Sequence, residues 1–503
     1  MPRDPHLNPT AWIDTVAGHQ AERPFLIEPS GRRWTYGDLR RETQRMAATL
    51  AALGVTAGDR IVVQVDKSAE SVLLYLSAVR LGAVLVPLNT AYTAAELEYF
   101  LTDASPRLAV FRPKDRETLL PLALRAGCAA VETLGTAGDG SLMQRVRQQQ
   151  TYGPPIAALG PDCVAALIYT SGTTGRSKGA MLSRRNLAAN AQALAECWQF
   201  TTDDVLLHAL PLFHVHGLFA ALNTVLAAGA SLLLLPTFEP TEVLRQMHSA
   251  TVFMGVPTYY TRLLQQTGLT RAATAHMRLF VSGSAPLLAE THREFERRTG
   301  QVILERYGMT ETLMNTSNPY DGTRLPGSVG PALPGVTLRV SGADDVGMLE
   351  IRGPNVFAGY WNDPHKTAES FTADGFFITG DLGTIDADGY VHIVGRAKDV
   401  IISGGYNVYP KEIEAELDAL AGVTESAVIG VPHADLGEAV TAILAVAPGA
   451  RLDERETIAA LQGRLARYKV PRRVLFVAEL PRNAMGKVQK AELRKIHRDL
   501  FKP

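Results

Sequence analysis

The stretch "IYTSGTTGRSKG", Ile168 to Gly179, sets a cluster of Ser and Thr hydroxyls, three glycines and two cations behind an apolar run. A strand that ends this way exposes consecutive backbone N–H groups. Gly172 and Gly175 permit the positive φ values of an anion-cupping nest. The hydroxyls of Thr170, Ser171, Thr173 and Thr174 add donors, and Lys178 adds charge. A plain polar loop between a strand and a helix has the same composition, so both readings stay open at this point. The P-loop of kinases and GTPases is excluded, because Lys178 is followed by Gly179 rather than Ser or Thr.

Outward from this loop, short apolar runs alternate with helical patterns. "IVVQV" (61–65), "VLVPL" (84–88), "LAVF" (108–111), "AALIYT" (165–170), "LLLLP" (232–236), "TVFMGV" (251–256) and "RLFVSGS" (278–284) read as buried strands. Leu187, Ala191, Leu194 and Trp198 follow helical spacing, with Ser183 placed as N-cap, so the loop is expected between a strand and this helix. The fold class is α/β: a large N-terminal domain of layered, mostly parallel sheets and helices. A small, mobile α+β C-terminal domain follows it. There a helix from Pro410 (Ile413, Leu417 and Leu420 on one face) precedes the strands "ESAVIGVP" and "RVLFVAELP". The boundary is expected near Gly395 to Asp399, dividing the chain into 1–397 and 398–503.

The totals narrow the function. With 503 residues, and 50 Lys and Arg against 51 Asp and Glu, no global field draws the chain to nucleic acid or to an acidic membrane. The longest apolar segment, Val72 to Leu88, carries Arg80 in its middle and reads as a buried helix followed by a strand. No secretory h-region is visible at the start, and Cys128, Cys163 and Cys197 have no CxxC spacing, so a reducing, cytoplasmic setting is expected.

Six ordered motifs, "YTSGTTGRSKG", "LPLFHVHG" (210–217), "ERYGMTET" (305–312), "TGDLG" (379–383), "GRAKDVIISGGYNVYP" (395–410) and "PRNAMGKVQK" (481–490), carry a resemblance. They are similar to the core motifs of the adenylate-forming superfamily of acyl-CoA synthetases, adenylation domains and firefly luciferase. The resemblance implies a two-step reaction: a carboxylate attacks the α-phosphate of ATP, giving acyl-AMP and pyrophosphate, and a thiol then attacks the acyl carbon. It implies that Thr170 to Lys178 wrap the β- and γ-phosphates, that Thr310 bonds the α-phosphate, and that Mg²⁺ is held near Glu311. Asp381 would bind the ribose with Arg396 nearby. Tyr307, with Gly308 and Met309, would pack on the adenine, whose pocket Gly283, Ser284 and Ala285 would wall. Lys487 would be the catalytic lysine of step one. For step two the small domain would rotate about Lys398 and present Ser403, Gly404 and Gly405 to the pantetheine arm of coenzyme A. A lysine acetyltransferase acting on Lys487 would remove the needed cation.

His214 and His216, two apart on an expected strand, would share a face and invite a metal pair. No third ligand lies near in sequence, and His214 falls in the "LPLFH" motif, so lining of the acyl pocket is preferred. The acid itself is read from Arg262, one turn into a helix starting near Pro257, and from Ser282: a guanidinium and a hydroxyl suited to the second carboxylate of a short dicarboxylate. "GVPTYYTRLL" and "ERYGMTETLMNTSNPYDGTRLPGSVGPALPGV" resemble malonyl-CoA synthetases in particular, which implies malonate, with methylmalonate as a second substrate. The alternatives are a short- or medium-chain fatty or aryl acyl-CoA ligase, a carrier-protein loading module, and a non-catalytic ATP-binding protein. Intact Lys487, Glu311 and Asp381 speak against the last.

Overall fold

Residues 61–64, 84–87, 108–111 and 165–169 are buried without alternation, the pattern of strands covered on both faces by helices. The computed structural model describes residues 8–170, 177–342, 346–447, 449–483 and 487–502. In it these runs, Arg60–Gln64, Val84–Pro87, Leu108–Phe111 and Val164–Thr170, join Ala130–Thr133 in a parallel array. Lys178–Ser183 closes this six-stranded sheet antiparallel to Val164–Thr170. A second sheet of eight strands has a parallel centre, with Leu279–Ser282, Val252–Gly255, Val205–His208 and Ser231–Leu234 side by side and antiparallel pairs only at its two edges.

The helices that join these sheets are apolar on every side, as fully enclosed helices must be. Every residue of Ala69–Leu81 except Ser71 is buried, and all of Leu222–Ala228 are. One continuous apolar cluster runs from Ile61 and Val63 of the first sheet through Leu74 and Leu226 to Leu206 and Val281 of the second. Val72 to Leu88 is thus a buried helix and strand, and no described helix is long and apolar enough to cross a membrane.

The phosphate-loop stretch corrects one expectation. Thr170 pairs with Lys178 and Tyr169 with Gly179, so the loop joins two antiparallel strands. The helix Arg184–Cys197 starts only after the second of them, at the N-cap Ser183. A further sheet of four antiparallel strands, Thr337–Ser341, Gly347–Arg352, Phe377–Ile385 and Val391–Arg396, was not read from the sequence. Its strands are largely half-buried, so they lack the continuous apolar runs of the parallel sheets.

The smaller C-terminal domain is a five-stranded sheet with its own apolar clusters. The helix Pro410–Asp418 buries Ile413 and Leu417 against Val428, Val440 and Ala442. Gly404 and Gly405, at φ 58° and 84°, form the two-residue turn between Ile401–Ser403 and Tyr406–Val408, a geometry that side chains with a Cβ resist.

Candidate functional site

Ligands of parallel α/β sheets bind where the strands end at their carboxyl termini. The expected residues collect there. Thr170 ends one strand of the six-stranded sheet, while Ser282 and Met309 end strands of the eight-stranded one. Leu304–Met309 turns back through Thr310 to Thr312 into Leu313–Ser317, so "ERYGMTET" is a β-hairpin. Gly308 allows that close turn, since a Cβ there would lie 2.0 Å from the Leu313 carbonyl oxygen.

On one side of this hairpin stands Asp381. Its Oδ1 meets Arg396 Nε at 2.6 Å and its Oδ2 accepts from the Tyr307 hydroxyl at 2.5 Å. Burial pushes its pKa up, while Arg396 and Tyr307 hold it down. Each carboxylate oxygen keeps a further lone pair, enough to accept two more hydroxyls. Tyr307 is therefore anchored through its hydroxyl while its ring stays half-buried.

On the other side, Glu311 is buried and accepts from the Tyr360 hydroxyl at 3.0 Å. Lys178 lies 3.5 Å from Asp363 and sits over the Tyr360 ring at 5.7 Å. Tyr360 thus couples the end of the loop stretch to Glu311, a link that sequence reading missed. Tyr99 donates to the Ser177 carbonyl at this same end at 2.7 Å, and at the other end Tyr169 donates to Asp103 at 2.5 Å. Ser171, Gly172, Thr173, Thr174 and Gly175 lie outside the described residues.

Between these two sides a cationic pocket opens. Arg306 is 2 % exposed, and its Nε and both terminal nitrogens have no hydrogen-bond partner among the described residues. Burial pushes its pKa down to about 9, which leaves it a cation at neutral pH. Its guanidinium lies across Gly283, where a Cβ would come within 2.6 Å of Cζ and Nε. Ser282 Oγ and His216 Nε2 are likewise buried without a partner. Ser284, held at φ 73°, turns its hydroxyl to His216 Nδ1 at 3.2 Å. A left-handed non-glycine residue is costly and is characteristic of functional loops. Ala285 follows it, half-buried.

His214 and His216 do not share a strand. His214 lies in a bend and His216 opens a π-helical turn, His216–Ala221, with the His216 amide donating to His214 Nδ1 at 3.4 Å. Burial, then Lys487 and Arg306, push His214 down to about 3, so it stays neutral. No cluster of three or more metal-ligating side chains exists among the described residues.

Lys487 comes from the small domain into this ensemble. Solvent still reaches its side chain. The protein packed around Nζ, then Arg396 and Arg306, push its pKa down, against the pull of Asp381 and Glu311. Arg262 lies in the helix Pro257–Leu264 as expected, near Tyr259, with its side chain exposed. Arg306 is a second cation, and a buried one, which sequence reading did not single out. Lys398 lies exposed in the turn Ala397–Asp399. The Gly404–Gly405 turn faces solvent, with Ser403 buried behind it, and the Gly404 amide bonds within the small domain to the Leu436 carbonyl.

An enclosed guanidinium with three unpartnered nitrogens among the described residues, a buried carboxylate held by Arg396 and Tyr307, and a lysine brought in from the small domain meet at this hairpin. The chain belongs to the AMP-binding enzyme family: that family's model matches residues 13–361, and the AMP-binding enzyme C-terminal domain matches 412–487. Among solved structures it is similar to ATP-bound MatB from Rhodopseudomonas palustris, 52% identical, with a TM-score of 0.95 over 98% of this chain and 100% of that one. Against the apo form of MatB, 53% identical and covering 99% and 100%, the TM-score is 0.85. Relatives include the malonate–CoA ligase of Arabidopsis thaliana, 36% identical over 94% of this chain and 86% of its own length. The sulfoacetate–CoA ligase of Cupriavidus necator is 36% identical over 96% of both.

Proposed function

We propose that the chain is an AMP-forming acid–thiol ligase that joins malonate, and methylmalonate as a second substrate, to coenzyme A at the expense of ATP. The observation that carries this reading is Arg306: an enclosed guanidinium with three unpartnered nitrogens among the described residues calls for an anion, and a fatty or aryl acid offers none at that end. The distal carboxylate of malonate pairs with Arg306, Ser282 and His216. Its reacting carboxylate then faces Lys487 and His214. MatB and the malonate–CoA ligase relatives support malonate, and the sulfoacetate–CoA ligase relative acts on another short acid with a second anionic group.

In the first half-reaction a carboxylate oxygen bonds to the α-phosphorus of ATP while the bond to the β-phosphate bridging oxygen breaks. An anion attacks an anion, so the work of the chain is to hold both in line and neutralise them. Asp381 takes the ribose hydroxyls, Tyr307, Gly308 and Met309 support the adenine, and Gly283, Ser284 and Ala285 close the wall between nucleotide and acid. Thr310 bonds the α-phosphate, Thr170 to Lys178 receive the leaving pyrophosphate, and the Lys487 ammonium offsets the charge that develops between acid and phosphate. Glu311 fits a magnesium ion brought by the nucleotide: a single buried carboxylate suits an ion that takes its other ligands from phosphate and water. Such an ion would neutralise phosphate charge.

In the second half-reaction the thiol sulfur of coenzyme A bonds to the acyl carbon and AMP leaves. The small domain, hinged at Lys398 with the boundary between 397 and 398, presents Ser403, Gly404 and Gly405 to the pantetheine arm. That boundary is supported by the end of the four-stranded sheet at Arg396 and the start of the small sheet at Ile401. Acylation of Lys487 by a lysine acetyltransferase would silence step one. A cytoplasmic setting is consistent with the three cysteines being free thiols.

The test is pyrophosphate release with ATP, Mg²⁺ and coenzyme A over acetate, butyrate, octanoate, benzoate, malonate, methylmalonate, succinate and sulfoacetate. Malonate should give the highest kcat/KM, and preference for butyrate or benzoate would overturn the reading. Arg262→Ala should raise the KM for malonate about three-fold and leave kcat nearly unchanged, as an exposed cation at the mouth contributes attraction rather than a buried bond. Loss of all malonate turnover in that variant would return Arg262 to the centre of the site.

A further inference from the structure

Lys67 follows the strand Arg60–Gln64 and precedes Ser68, the N-cap of the buried helix Ala69–Leu81. Its side chain leaves its own sheet altogether. Nζ lies 2.7 Å from His208 Nδ1, 2.8 Å from the His208 carbonyl oxygen and 2.8 Å from the Leu210 carbonyl oxygen. All three acceptors stand at or just beyond the carboxyl end of Val205–His208, in the centre of the other sheet. An ammonium group has three N–H bonds and no acceptor, and here each bond meets one acceptor.

This arrangement dictates the state of His208. The Gly217 carbonyl only accepts, so neutral His208 donates its Nε2–H to it at 2.9 Å, and Nδ1 keeps a lone pair that accepts from Lys67 Nζ, an arrangement that holds even though burial pushes the Lys67 pKa well down. His208 is 1 % exposed, and burial with the adjoining Lys67 charge keeps it neutral. Gly217 closes the segment 208–217 tightly: a Cβ on it would lie 2.2 Å from the Pro211 carbonyl oxygen. Its neighbour is His216, whose Nδ1 meets Ser284 and whose Nε2 is left free for the acid pocket.

We propose that Lys67 is a positioning residue for the acid pocket: it selects the His208 tautomer and, through the Gly217 carbonyl, seats His216 beside Ser282 and Arg306 without touching the acid. This rests on the reading of that pocket as the acid site. The three bonds of Lys67 all go to the segment 208–210, so its effect should fall on the acid side.

Lys67→Met keeps the stem and removes all three donors. The KM for the acid should rise about ten-fold while the KM for ATP stays within about two-fold. His208→Gln should show the same split, and the double variant should be no worse than His208→Gln alone, since the two act in one chain. Lys67→Gln, which restores an amide donor, should recover part of the loss. Equal rises in both KM values, an unchanged acid KM, or additive losses in the double variant would overturn the proposal. If Lys67→Met does not fold, the His208→Gln split decides by the same criteria. The acid used is the one the unaltered protein turns over best. Should that be a monocarboxylate, the malonate reading fails while the Lys67 test proceeds unchanged.

Discussion

Lys487→Ala should lower acid-dependent pyrophosphate release by about three orders of magnitude, the upper range for loss of one group that stabilises a transition-state charge. Transfer from supplied malonyl-AMP to coenzyme A should stay within about three-fold of the unaltered protein. The variant keeps its loop, because the Lys487 amide donates to Asn483 Oδ1 at 3.0 Å and the Asn483 amide to the Lys487 carbonyl at 3.0 Å, both through backbone atoms of residue 487. What it loses is a cation among Asp381, Glu311, Arg396 and His214. That cation faces the acid and phosphate only while their bond forms. Rapid-quench assays of each half-reaction separate the two steps, and equal loss in both would assign Lys487 to folding or domain docking instead.

Arg306→Met should do two things in opposite directions. The enclosed guanidinium has no partner for any nitrogen among the described residues, and replacing buried charge with apolar side chains of similar volume commonly stabilises a protein by about 1–4 kcal/mol. The apparent melting temperature should therefore rise. Malonate turnover should collapse, because the distal carboxylate would then be buried unpaired at a cost of about 3–5 kcal/mol, or about 10²- to 10⁴-fold in kcat/KM. Butyrate, which brings no second charge, should gain. Calorimetry and the acid panel read both effects. A lower melting temperature together with unchanged malonate kinetics would show that Arg306 serves structure rather than the acid.

The parallel strands were legible because burial on both faces writes itself as unbroken apolar runs, as in "LAVF" and "TVFMGV". Ser183 and the helix after it were legible for the same local reason, since a cap and its helix lie within a few residues of each other. The four-stranded sheet was not, because its half-exposed strands carry no such runs. Nor was the hairpin in the opening stretch: "KGAMLS" is too short and mixed to declare a strand before the helix that follows. At the candidate site, Asp381, Glu311, Thr310 and Lys487 were singled out through motif order, while Arg306 was passed over inside "ERYGMTET" although it stood in plain view. An arginine is ordinarily a surface residue. What removes Arg306 from the surface is contributed from a distance, by Gly283 and by the strand end at Ser282. Lys67, Tyr99 and Tyr360 went unseen for the same reason, since each bonds to residues far along the chain that no local pattern encodes.

Gly283 has a consequence for how this site could change its diet over generations. The guanidinium occupies the space a methyl group would take at that position. A mutation from Gly283 to Ala carries no charge, adds one carbon, and yet would force the Arg306 guanidinium to move. On the proposed reading of the acid site, selectivity between a dianion and a simple fatty acid then hangs on an empty spot in the backbone as much as on any charged residue. A lineage could cross from one diet to the other without altering its electrostatic inventory.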